Sequence, residues 1–243
     1  MAVSGSFDFS LNRDALIKKA LLMLGVISAD QTPTSSEVTS ASNSLNLLLK
    51  AWQADGMQLW RVAQVSISPP TASASYTFGD STYTDYQPVD ILDVYRVNTS
   101  ADTWVKLNRY SRDKFYQLSD HDSTGTPVAY YYNNDNTNGT LTVWPIADTT
   151  FISDYTLEVF LTKPFDDMDS STDNLAFPQY WELAVVYGLA TILAPEYGVP
   201  IADQKLLITM ATKIKHDAMM WDTEHTSIFF MPSYQMTGDR NNA

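Results

Sequence analysis

Asp120, His121 and Asp122 form the constellation best placed for proton chemistry, an imidazole flanked by two carboxylates. They fall in a loop-like stretch with no third partner at a readable spacing, which suits a solvated surface loop. His216 and His225 lie on or beside the last helix, nine residues apart, about 180° of helical rotation, so they do not share a face. Asn134, Asn136 and Asn138 before Gly139 imitate the opening of a calcium loop, but the first ligand is not Asp and Pro145 stands where a bidentate Glu is needed. Asp167, Asp169, Ser171 and Asp173 repeat that spacing, with Thr172 in place of the turn glycine and Pro178 in the last position. The first stretch reads as a hairpin connection, the second as an acidic, mobile link into the next helix. No serine elbow, zinc-binding histidine pair or phosphate loop occurs, and the absence of cysteine removes disulfides and thiolate metal sites. No catalytic, cofactor or metal site is expected, although carboxylate pairs for glycoside cleavage can be distant in sequence.

The elements that would position such groups begin with two helices. Residues 10–24 can be capped by Ser10 or Asn12 and ended by Gly25. A second helix opens on the capping-box spacing of Thr34 and Glu37 and stops at Gly56; Val38, Ala41, Leu45, Leu48 and Trp52 form one apolar stripe along it. The period then changes to two at Ala63, Val65 and Ile67, until Pro69 and Pro70 interrupt it. Further strands are expected at 75–78, 89–97, 128–133, 141–144 and 155–161, with a short helix at 111–118. In the last strand Tyr155, Leu157, Val159 and Leu161 should share a buried face.

Helix returns from Pro178 to about residue 194, with Glu182 its only charge, so it must be covered on several sides. Ala184 and Gly188, four apart, would admit another backbone; with Tyr180, Trp181 and Tyr187 they are candidates for core or ring contacts. The last helix, about 200–223, carries Leu207, Met210, Ile214, Ala218 and Trp221 as a stripe opposite Lys205 and Lys213. The plan is α+β: terminal helices at 1–59 and 163–225 form a helical bundle core, an antiparallel β-rich domain is inserted at 60–162, and 226–243 form an extended C-terminal arm.

A formal net charge of −13 opposes the counterion release that drives binding to nucleic-acid backbone. Charged residues make up 18%, below the roughly 25% of ordinary soluble domains, while aromatics reach 12%. Low charge with much aromatic area suits protein contact, since interface cores show that bias. Residues 1–10 do not read as a secretion signal, and the apolar stretch 183–194 is shorter than the about 20 residues a membrane span needs, so a soluble protein is expected. The arm carries Ile228, Phe229, Phe230, Met231, Tyr234 and Met236, too much apolar area to leave in water.

Several segments together resemble a known family: Leu45 and Asn46 through Trp52, Gln53, Ala54, Asp55 and Gly56 to Leu59 and Trp60; the run LTVWP at 141–145; and Phe177, Pro178, Gln179, Tyr180, Trp181 and Glu182 through Tyr187, Gly188, Leu189 and Ala190 to Ala194, Pro195, Glu196, Tyr197 and Gly198. They are similar to the head-to-tail adaptors of short-tailed bacteriophages, also called tail accessory or packaged-DNA-stabilisation proteins. The likeness covers both helical ends and the end of the β region, and is weakest over 70–125. It implies a homo-oligomeric ring, usually dodecameric, in the virion neck, made in the host cytoplasm and seated between the portal protein and a downstream tail or nozzle protein. Such a ring extends the DNA channel and helps retain packaged DNA, which passes without sequence-specific binding and without any membrane. The arm residues 228–236 become portal-interface candidates. Two other readings stand beside it: a virion-associated peptidoglycan-cleaving glycosidase, and a carbohydrate-binding tail module suggested by Tyr130, Tyr131, Tyr132, Trp104 and Trp144.

Overall fold

The computed structural model describes residues 5, 9–55, 61–68, 74–135 and 137–222. The fold is α+β. Helix α1 (Arg13–Met23) starts where the Asn12 side chain accepts the Ala15 N–H at 2.9 Å, and gives way at Gly25, whose φ of +69° suits a residue without Cβ. Helix α2 (Ser35–Ala54) carries the expected capping box: the Glu37 N–H donates to the Thr34 hydroxyl and the Thr34 N–H to the Glu37 carboxylate at 2.7 Å. Its stripe of Ala41, Leu45, Leu48 and Trp52 is buried together with Leu49.

The middle of the chain builds two four-stranded sheets. One has the order β1 (Val62–Ile67), β10 (Tyr155–Thr162), β3 (Asp90–Asn98), β4 (Thr103–Lys106); the other has β2 (Ser75–Phe78), β8 (Gly139–Trp144), β7 (Ala129–Asn134), β5 (Asn108–Arg109). The longer pairings are antiparallel, whereas β5 runs parallel to β7, and β6 (Thr124–Gly125) parallel to β9 (Ile146–Ala147). Inward residues of both sheets share one core: Ile67, Ile91, Val94, Leu157, Val159 and Leu161 against Tyr76, Phe78, Tyr130, Tyr132, Leu141 and Val143. Period-two alternation explains that arrangement. Two short helices, α3 (Arg112–Tyr116) and α4 (Thr149–Asp154), flank the sheets; Phe151 of α4 is buried in their core. The Asn134, Asn138 and Gly139 stretch is the β7–β8 hairpin connection; Asn136 lies outside the described residues.

The second core joins the two ends of the chain. Helix α5 (Gln179–Leu193) is packed by α1, α2 and α6 (Ile201–Trp221), so most of its apolar surface is covered within one chain. Pro178 and Pro200 sit one position ahead of their helices. The acidic segment before α5 is a docked strap and not a mobile link. Phe165 and Met168 are buried; their N–H groups donate to Gln53 Oε1 at 2.7 Å and Asn46 Oδ1 at 2.9 Å. Arg13 donates to the Asp169 carbonyl at 2.6 Å, and Lys50 pairs with Asp167 at 2.7 Å. The polar spacing of 167–173 concealed how strongly two apolar side chains and α2's amides hold the strap.

An aromatic column runs through this core. Arg61 lies 3.8 Å above Phe165, Phe165 stacks on Phe177 at 4.6 Å, and Phe177, Trp181 and Trp52 follow at 6.1 and 5.7 Å, with Lys215 5.0 Å from Trp52. Arg61 is buried, which pulls its pKa down to about 10 against the opposing pull of Asp166 and Tyr86, so it stays charged at neutral pH. At the far end Lys215 also reaches Asp55 at 2.6 Å, tying α6 to α2.

Candidate functional site

His121 lies against Phe115 and Tyr116, at 5.5 and 6.2 Å between ring centres; Asp120 accepts the Asp122 N–H, and its carbonyl accepts the Trp144 indole. These contacts shape a loop. Asp173 accepts the Ser170 N–H at 2.6 Å, a local turn within the strap. Among the described residues no group of three or more His, Asp or Glu side chains is arranged to hold a metal ion. His216 is exposed on α6, and His225 lies outside the described residues.

The helical candidates divide by burial. Trp181, Ala184 and Gly188 are inside the subunit's own core, Tyr187 is half-buried, and Tyr180 is exposed. A Cβ built at Gly188 would stand 2.9 Å from Trp52 Cζ2 and 3.1 Å from Leu48 Cδ2. The missing side chain at Gly188 therefore admits α2 of the same chain. Glu182, also buried, accepts the Leu11 N–H at 3.2 Å through Oε1, while Oε2 has no hydrogen-bond partner among the described residues; burial raises its pKa.

Among the described residues, the least covered helix is α6, which packs on α5 and is apolar and exposed on either side of that contact. Its inward face is Gln204, Leu207, Ala211, Ile214 and Ala218, and only Ala218 is fully buried. The sequence stripe placed Met210 and Trp221 on this face. They are exposed, Trp221 at 78%, because α5 covers a narrow arc and the two positions lie roughly 60–80° around the helix from its centre. The same spacing sets Ile201, Ile208 and Met219 along one flank of the α5 contact and Leu206, Met210 and Trp221 along the other, all exposed. Tyr180, Leu183 and Ile192 of α5 add further exposed apolar area. The sequence marked α6 as amphipathic; the narrowness of its contact could not be read there, because it depends on how little of the chain packs against it.

The candidates Ile228, Phe229, Phe230, Met231, Tyr234 and Met236 lie outside the described residues. On the sheets, Tyr130 and Tyr132 are core residues, while Tyr131, which stacks on Phe115 at 5.5 Å, and Trp144, whose indole donates to the Asp120 carbonyl, are half-buried. Trp104 is the exposed member of that set. No helix among the described residues is long and apolar enough to cross a membrane.

A scan against protein-family models found no match, and a search of curated proteins found none either.

Proposed function

We propose that this chain is a structural adaptor of a phage virion, one subunit of a ring between portal and tail that extends the DNA channel and helps retain packaged DNA. The observation that carries this reading is α6, a 21-residue helix held along one narrow face and apolar on both flanks. Two separate apolar flanks fit a head-to-tail ring, in which each subunit meets two neighbours through two different patches. With only the described residues to cover them, both flanks stay wet, and each large side chain there forgoes roughly 1.5–3 kcal/mol of burial. The similarity of 45–60, 141–145 and 177–198 to head-to-tail adaptors supplies the partner, the portal protein, and suggests twelve copies. Net charge of −13 suits a channel wall that DNA slides past.

Electron microscopy of the purified chain mixed with portal protein tests this directly. A ring of this chain stacked coaxially on the portal is expected. A chain that stays monomeric and unbound at micromolar concentrations of both proteins would overturn the assignment.

A further inference from the structure

The outer face of the first sheet holds a groove of about 520 Å³ that the ring reading does not use, lined by Val62, Leu92, Asp93, Tyr95, Trp104 and Phe160. Three strands build it. Register places Phe160 of β10 opposite Asp93, and Tyr95 between Glu158 and Lys106; Trp104 of β4, opposite Val97, follows two pairs along on the same face. Tyr95 meets both neighbouring rings edge-on, Trp104 at 5.9 Å and 64° and Phe160 at 5.6 Å and 80°. The β10–β3 ladder slips at Leu92, since Phe160 pairs with Asp93 and Leu161 with Ile91. The extra residue brings Leu92, 43% exposed, to the rim beside Asp93, the kind of re-aiming that bulges provide next to sites.

The polar groups are equally placed. Asp93 and Lys106 pair at 2.5 Å at the edge of the groove, so the rim offers a carboxylate and an ammonium whose charges cancel. The Trp104 indole N–H donates to Asp102 at 3.1 Å, which fixes the ring edge, and the residue stays 46% exposed. Glu158, beside Tyr95 on the same face, is occupied by Gln64 at 2.9 Å and Ser66 at 2.6 Å.

We propose that this groove binds a neutral saccharide, with Trp104 as the stacking platform, Tyr95 and Phe160 as its walls, and Asp93 and Lys106 as hydrogen-bonding partners for hydroxyls. A cation would compete with Lys106 and an anion with Asp93, whereas a neutral polyol uses both without disturbing the pair. A sugar ring has an apolar C–H face and a polar hydroxyl rim, which is the complement of aromatic faces edged by a donor and an acceptor. An apolar peptide anchor would use none of the remaining hydrogen-bonding capacity of that pair. The inference stands whether or not the chain forms a ring.

The test uses the full chain with cellohexaose, maltohexaose and chitohexaose as probes, read by calorimetry and by the Trp104 indole signal in nitrogen-labelled protein. At least one probe is expected to shift that signal and to bind with a measurable constant. Trp104→Ala should lose about tenfold or more in affinity while Trp104→Phe, which keeps an aromatic face, retains most of it. Circular dichroism of both variants checks the fold. The proposal fails if none of the three probes moves the Trp104 signal at 10 mM ligand, on the order of the weakest useful affinity, or if binding survives Trp104→Ala. It also fails if Trp104→Ala instead abolishes self-association, since the face would then be a subunit contact.

Discussion

Gly188→Ala separates a core role for α5 from a subunit-contact role, because two opposed effects of known size meet at one atom. Replacing glycine by alanine inside a helix is worth about 1 kcal/mol in intrinsic propensity. Against that, the new methyl would stand 2.9 Å from Trp52 Cζ2, well inside an ordinary carbon contact of about 3.5–4.0 Å. Trp52 cannot easily retreat, with the Trp181 ring 5.7 Å away and the Lys215 ammonium 5.0 Å from its own centre. Overpacking of this kind costs about 1–3 kcal/mol, so the net expectation is a loss of about 0–2 kcal/mol. Urea unfolding followed by far-ultraviolet circular dichroism reads it. Trp52→Leu should open the space, so the double variant should recover about 1–2 kcal/mol relative to the sum of the singles. A Gly188→Ala subunit about 1 kcal/mol more stable than wild type, with coupling to Trp52→Leu inside 0.5 kcal/mol, roughly the error of additivity, would refute the packing account. Lost ring assembly with subunit stability unchanged would place Gly188 at a neighbour instead.

Leu206→Glu with Met210→Lys on one flank of α6 should change subunit stability by about 0.5 kcal/mol or less each, as exposed substitutions do, while abolishing self-association in sedimentation and ring formation on the portal. The buried Glu182 has its pKa raised by loss of solvation, so its folded state holds the proton more tightly than the unfolded chain. Its favourable linkage is therefore complete below the ordinary value of 4.5 and is lost as pH rises through the raised value. Glu182→Gln, which can still accept the Leu11 N–H, should gain stability relative to wild type between pH 4 and pH 7; a difference that is flat across that range in denaturant titrations would contradict this.

Local signals in the sequence were faithful where one element sufficed to express them. The Thr34 and Glu37 capping box, the 38–52 stripe and the alternation at 155–161 each depend on a few neighbouring residues, and each reappears in the structure. Edge strand β4 was missed because all four of its residues are exposed and it lacks alternation. Helix α4 was missed because six residues carry too short a pattern, although Asp148 caps it at 2.7 Å. Glu158 sat on the supposed polar face of β10 and is nonetheless buried, since that strand lies between β1 and β3 and its outer face is partly roofed by Gln64 and Ser66. The groove was beyond reach for a similar reason: residues near 93, 104 and 160 become neighbours only through strand register. Of the aromatic residues singled out in the sequence for sugar binding, Trp104 is the exposed one and lines the groove, and its companions Tyr95 and Phe160 had no local mark.

The β1–β10 pairing has a consequence for how the chain can vary. Val62 faces Thr162 across the ladder, and the Lys163 N–H donates to the Arg61 carbonyl at 3.0 Å, so the chain leaves and re-enters the helical layer at one doorway. Paired strands hold their ends about 5 Å apart whatever lies between them. To α1, α2, α5 and α6, residues 62–162 thus amount to a short closed loop, and lengthening its interior adds little to the entropy of bringing the helices together. The turn at 99–102 or the hairpin tip after Asn134 can accept new residues, and the helical layer meets the same two strand ends as before.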